Sequence, residues 1–178
     1  MKNIVDIEAL CKIQYGMYVV SASADNLHNG QIVTTVMQVT NQPNQVMVCL
    51  SKETLTHELV EKSKSFGVSL LEQSTPFKFI GRFGFRSGKT FTKFSDDIDY
   101  VIGTNGNPLL RTHALINIEV SVNKTLDVGT HTIFVGEVKY ANTVKEGIAL
   151  TYEYYHTVLK GKSPENAPTF QIKEQKCS

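Results

Sequence analysis

Cysteine is scarce and unpatterned. Cys11, Cys49 and Cys177 are odd in number, far apart, and form no Cys-x-x-Cys, which excludes a disulfide framework. Cys49 sits in an apolar stretch and reads as a buried hydrophobe; Cys177 lies near the end of the chain and reads as an exposed thiol. Charge of one sign is also lacking. Eighteen Lys and Arg against 17 Asp and Glu leave a net charge of +1, so no whole-molecule field draws nucleic acid or a membrane surface. No apolar run approaches the roughly 20 residues that cross a bilayer. The first residues, Met1-Lys2-Asn3-Ile4-Val5-Asp6-Ile7-Glu8, carry acids where a signal peptide keeps an apolar core, and a cytoplasmic location is expected.

Several chemistries lack their motif. The histidines His28, His57, His113, His131 and His156 form no His-Glu-x-x-His and none neighbours a cysteine at ligand spacing, so no metal site is expected. Asp96, Asp97 and Asp99 lack the spacing and glycine of a calcium loop and read as a solvated acidic turn. Gly88-Lys89-Thr90 ends like a phosphate-binding P-loop, but the first glycine of that motif would fall on Phe83. There is no Gly-x-Gly-x-x-Gly, which excludes a built-in dinucleotide fold.

The remaining composition is that of an ordinary globule: 41% hydrophobic and 20% charged residues in a chain of 178. One domain over residues 1–178 is expected, with a C-terminal tail from about residue 162. Gln14 to Ala22 favours a strand. Asp25-Asn26-Leu27-His28-Asn29-Gly30 reads as a turn, with Asn29-Gly30 its strong signal, and Gln31 to Thr40 reads as one strand apolar on both faces. A turn at Asn41-Gln42-Pro43-Asn44 leads to a buried strand, Val46 to Leu50. Thr54 to about Lys64 reads as a helix, with Leu55, Leu59 and Val60 on its apolar stripe. Phe66 to Leu70 alternates, Pro76 opens a short helix or turn through Phe83, and Arg86 to Asn107 is a long irregular segment of functional type. Ile116, Ile118, Val120 and Val122 alternate with Asn117, Glu119, Ser121 and Asn123 as a half-buried strand. A turn at residues 127–130 returns the chain as His131 to Asn142. Gly147 to Leu150 is a further short strand. Thr151 to Lys160 is a helix ended by Gly161, and residues 163–168 form an extended tail. About seven strands with mostly antiparallel connections and two or three helices imply a mainly antiparallel barrel with helices at its edges.

The stretch from Asn29 to His57 organises these elements. Strand, turn and strand lead into a helix start rich in hydroxyls: Ser51, Thr54 and Thr56, with Lys52 among them. A helix N-terminus presents unpaired N–H groups and partial positive charge, which suits a phosphate. The same serine and threonine also serve as ordinary N-caps. Lys78, Arg82, Arg86, Lys89 and Lys93 form a locally basic run, which reads either as a solvated face or as contacts to a phosphate or pyrophosphate.

Four segments in order, Asn29 to His57, Phe79-Ile80-Gly81-Arg82-Phe83-Gly84, His131 to Val138 and Tyr154-Tyr155-His156, resemble the flavin reductase-like family, including flavoredoxin-type proteins and the flavin domain of high-molecular-weight rubredoxins. The resemblance runs from about Gln14 to Phe170, although Thr130 stands where that family often has an acid. It implies a mainly β fold, the FMN-binding split β-barrel with a few peripheral helices, and non-covalent FMN. It implies NADH or NADPH as donor, and free flavin, ferric iron or a rubredoxin-like redox protein as acceptor. A homodimer is implied as well. By this resemblance Gln31, Val33, Thr34, Thr35 and Val36 border the flavin ring, and Ser51, Lys52 and Thr54 its phosphate. His57, Arg82, Ser87 and His156 are further cofactor-binding candidates. No side chain is expected to be catalytic, because the flavin carries the hydride chemistry. Two alternatives stand beside this reading: an FMN electron-transfer protein without significant NAD(P)H activity, and a barrel that binds another planar cofactor such as haem.

Overall fold

The computed structural model describes residues 7–10, 12–164 and 167–168. Cys11 and Cys177 lie outside the described residues, as does part of the expected extended tail. Nine strands and four helices are described. The strands are β1 (Tyr18–Ala24), β2 (Leu27–Val33), β3 (Val36–Asn41), β4 (Asn44–Ser51), β5 (Ser65–Leu71), β6 (Tyr100–Ile102), β7 (Pro108–Leu110), β8 (Ala114–Asp127) and β9 (His131–Thr143). The helices are α1 (Ile7–Leu10), α2 (Leu55–Ser63), α3 (Phe77–Phe85) and α4 (Tyr152–Thr157). Seven strands form one sheet in the order β2-β1-β5-β8-β9-β4-β3, and β6 and β7 pair separately. All pairings are antiparallel. The chain passes directly from β2, one edge, to β3, the other. Only a curled sheet brings its two edges together in this way, with a split left between them. No helix among the described residues is long and apolar enough to cross a membrane.

Two apolar clusters hold the sheet. Val20, Ala22, Val48, Leu50, Phe66, Val68, Val120 and Phe134 pack inside the curl with Leu59 and Val60 of α2. Met17, Val19, Leu71, Ile80, Phe83, Phe94 and Tyr155 pack on the other side. Alternate residues of β1 serve both clusters, so this strand is covered on both faces. Each fully buried large side chain contributes about 1.5–3 kcal/mol. That burial is what pins α3 to the outer face of β1 and β2, and so positions the site.

The structure corrects several local expectations. Asn29 and Gly30 lie inside β2, opposite Ala22 and Ser21. Of the expected turn, only Asp25-Asn26 turns, both with positive φ (51° and 61°), the backbone that two-residue hairpins require. Gly30 is small for a different reason: a Cβ there would stand 2.9 Å from the Phe94 ring. The expected strand from Gln31 to Thr40 is two strands broken by a bend at Thr34 and Thr35. The segment 147–150 contributes only an isolated bridge, Glu72 to Ala149. The last helix stops at Thr157, and Lys160 adopts a left-handed φ of 55°. The irregular segment from Arg86 to Asn107 carries β6, which pairs with β7 just beyond it. That pair and its loop cover the polar side of β8, so Asn117 and Glu119 are buried (5% and 1% exposed) rather than solvated. Glu119 accepts hydrogen bonds from Thr104 Oγ1 (3.0 Å) and the Asn105 amide (2.8 Å), and Asn117 bonds Ser69 and the Leu110 carbonyl. Cys49 is half-buried rather than enclosed, and partial burial pushes its thiol pKa up.

Candidate functional site

One cleft gathers the ends of β2 and β4, the start of α2, the last turn of α3, α4 and the tail. Its cavity volume is about 210 Å³, far above the roughly 10–15 Å³ that admits a single water, which suits an organic ligand rather than a lone ion. The bend at Thr34 and Thr35 forms one wall. Cys49 N donates to Thr35 O (3.2 Å) and Thr35 Oγ1 donates to Cys49 O (3.1 Å), so the bend is stitched to β4 while β2 ends beside it. The β4–β9 register sets Ser51 opposite His131, which brings both residues to the same end of the cleft.

The start of α2 forms the floor beside them. Thr54 is the N-cap: its hydroxyl accepts from the His57 amide (3.3 Å) and donates to Ser51 O (2.9 Å). Ser51 Oγ accepts from the Glu53 amide (3.4 Å). Both hydroxyls therefore do the work of ordinary capping. Within the helix the first-turn amides of Leu55 and Thr56 have no carbonyl to reach.

Of the candidate binding residues, Gln31, Val33, Thr34, Thr35, Ser51, Thr54 and Ser87 line this cleft, and Val36, Lys52, His57, Arg82 and His156 do not. Val36 lies in β3 opposite Val48. Lys52 Nζ holds both oxygens of Asp127 at 2.7 Å. His57 Nε2 lies 2.8 Å from Thr132 Oγ1, its ring edge-on to Phe134, and burial pushes its pKa down. Arg82 pairs with the Asp97 carboxylate, bonds Ser95 Oγ (3.0 Å) and donates to the backbone carbonyl of Lys93 (3.2 Å). His156 Nδ1 lies 2.9 Å from Gly161 O; burial lowers its pKa too.

The cleft also holds residues outside the set of cofactor-binding candidates: Asn29, Gly88, His131, Tyr152, Tyr155 and Lys93, the last a member of the basic run that reads either as a solvated face or as phosphate contacts. Lys93 is 3% exposed, and its Nζ donates to Phe83 O (3.0 Å). Burial pushes its pKa down to about 8. Gly88 lies so close to the Asn29 side chain that a Cβ would overlap it, and Asn29 Nδ2 in turn donates to Thr56 Oγ1 (2.9 Å). The basic run from Lys78 to Lys93 and the glycine pair Gly84 and Gly88 around Arg86 were the signals available for this wall. His131 had a weaker one, as the first residue after a hairpin turn.

Residues 10–161 match the flavin reductase like domain family. The chain belongs to that family. It is 48% identical over 166 residues to a ferric-chelate reductase (NAD(P)H) of Archaeoglobus fulgidus, covering 93% of this chain and 98% of that protein. It is 40% identical over 172 residues to a high molecular weight rubredoxin of Moorella thermoacetica, covering 97% of this chain and 75% of that one. Among solved structures, the NADH:FAD oxidoreductase of Streptomyces globisporus in complex with NAD and FAD fragments superposes with a TM-score of 0.68 at 27% identity. That match covers 76% of this chain and 79% of the other. The mainly β architecture and its family are thus as the sequence implies.

The cleft fits the cofactor class of this family. Gln31 Oε1 and His131 Nε2 are buried polar atoms with no hydrogen-bond partner among the described residues, and both residues line the cleft. Buried polar atoms are nearly always paired. An acceptor and a ring nitrogen left open at one site suit a ligand with a polar heteroaromatic edge.

Proposed function

We propose that this chain is an FMN-dependent oxidoreductase that receives a hydride from NADH or NADPH. Free flavin, ferric iron or a redox protein then takes the electrons. The open polar atoms of Gln31 and His131 in one cleft carry this reading, together with the 48% identity to a ferric-chelate reductase over nearly the whole chain. A bound flavin supplies the hydride acceptor and the electron store. The chain's residues bind and orient it. Gln31 and His131 offer hydrogen-bonding atoms to its polar edge, and the bend at Thr34 and Thr35 supplies backbone beside it. The capped start of α2, with Ser51 and Thr54, contributes N–H groups and a favourable dipole to a phosphate. Tyr152 and Tyr155 of α4 close the opposite side against water, and burial keeps Tyr155 in its neutral phenol form by raising its pKa. The exposed edge strand β3, with Met37 and Val39 at 53% and 38% exposure, supports a homodimer, since an open apolar edge invites pairing with a second copy.

Anaerobic mixing of the flavin-loaded protein with NADH and with NADPH tests the reading. Bleaching of the flavin absorbance within the mixing experiment is the expected result, and it identifies the donor. The 40% identity to a high molecular weight rubredoxin supports a second reading, an electron-transfer protein serving a redox partner. No bleaching by either nucleotide, with bleaching by a reduced rubredoxin, would decide for that alternative.

A further inference from the structure

We propose that Lys93 is the binding cation of the cleft, its ammonium pairing with an anionic group of the bound flavin. The inference rests on the flavin reading above and assigns a charge to it. A Lys ammonium has three donors, and Lys93 uses one of them on the Phe83 carbonyl at 3.0 Å. That carbonyl belongs to the last turn of α3, where C=O groups lack helical partners and the dipole is negative. Among the described residues no carboxylate forms an ion pair with Lys93. A charge taken out of water is ordinarily paired or neutralised. Lys93 is also one of the residues that line the cleft.

The surrounding contacts hold this lysine in place. The Lys93 carbonyl accepts from Arg82 (3.2 Å), which the Asp97 carboxylate and Ser95 fix in turn. Phe94 locks the next position against Phe83 and Tyr100, with ring centroids 5.2 and 5.0 Å apart. Arg82 is therefore a positioning residue: its charge meets Asp97, and its effect on the cleft passes through the Lys93 backbone. Two anionic groups would suit the free donors, the phosphate of FMN and the ring of a reduced flavin, which is anionic when singly protonated.

The test is equilibrium titration of wild type and Lys93→Met with FMN and with riboflavin, plus a redox titration of each complex. Loss of FMN affinity on the order of ten- to a hundredfold, the usual weight of a charge-assisted hydrogen bond, with riboflavin affinity unchanged, assigns Lys93 to the phosphate. Unchanged affinity for both oxidised flavins with a more negative midpoint potential assigns it to the reduced ring. Unchanged affinities and unchanged potential overturn the proposal. Wild type that takes up neither flavin defeats the flavin reading itself, a result read without any variant. Methionine replaces the buried charge by an apolar stem of similar length, which proteins tolerate well. Thermal unfolding of the flavin-free variant checks its fold, and Lys93→Gln repeats the comparison with a neutral donor.

Discussion

At the α2 end of the cleft, Lys52 lies next to a helix start with every feature of an anion site, yet both oxygens of Asp127 hold its ammonium at 2.7 Å in contact with solvent. At the α3 end, Lys93 closes the basic run that starts at Lys78; it is 3% exposed, and among the described residues its ammonium has one carbonyl for a partner. The first lysine is ion-paired and hydrated; the second is buried, and among the described residues no carboxylate pairs with it. The difference teaches that a cation's availability to a ligand is set by the groups brought to it from elsewhere in the chain. The β8–β9 hairpin delivers Asp127 to Lys52. Among the described residues, the packing of α3 and Phe94 brings only a helix-end carbonyl to Lys93.

This contrast is open to measurement, and its largest consequence is a pH dependence. The folded pKa of Lys93 is about 8, below its ordinary value of 10.5, because burial disfavours the charged form. Between those values the unfolded chain binds more protons than the folded one, so stability rises with pH across that window and the cost is fully present below pH 8. Denaturant titrations of flavin-free protein from pH 7.5 to 10.5 should show a gain on the order of 3 kcal/mol from this group. Lys93→Met should lack that component.

Replacing Gly88 with alanine should come next. The new methyl would displace Asn29 and disturb its bond to Thr56, at a cost of about 1–3 kcal/mol. A lowered melting temperature with weakened flavin binding checks it. Thr54→Ala removes the α2 cap and should cost about 1 kcal/mol in chemical denaturation. The smallest effect belongs to Lys52→Ala. Its partner is solvent-exposed, so stability and FMN affinity should both stay within error of wild type. A clear loss of FMN affinity in that variant would reverse the assignment of the two lysines.

Much of the architecture could be read from pattern alone. Leu55, Leu59 and Val60 place α2, and Thr54 is the cap at its start. The alternation around Ile118 places β8. The break at Thr34 and Thr35 was hidden because both residues favour strands, and propensity does not report where a backbone turns out of a sheet. Asn29-Gly30 has the composition of a turn, but Gly30 is there to admit Phe94. The polar side of β8 looked solvated because alternation tells two faces apart without saying what covers the second. In the site, Gln31, Thr34, Thr35, Ser51, Thr54 and Ser87 were legible and share the cleft. Lys93 was legible only as one of five cations in a basic run, because which of them is buried at the cleft depends on how α3 packs; His131 depends on a strand register that sets it beside Ser51.

The central claim is that this cleft takes a flavin, and Cys49, which lines it half-buried, reports on that directly. The measurement is the alkylation rate of Cys49 at mildly alkaline pH, resolved from Cys11 and Cys177 by peptide mass spectrometry, with and without saturating FMN. The account predicts that FMN slows alkylation of Cys49 severalfold or more. Alkylation at the same rate in protein that has bound FMN would place the flavin elsewhere and contradict it.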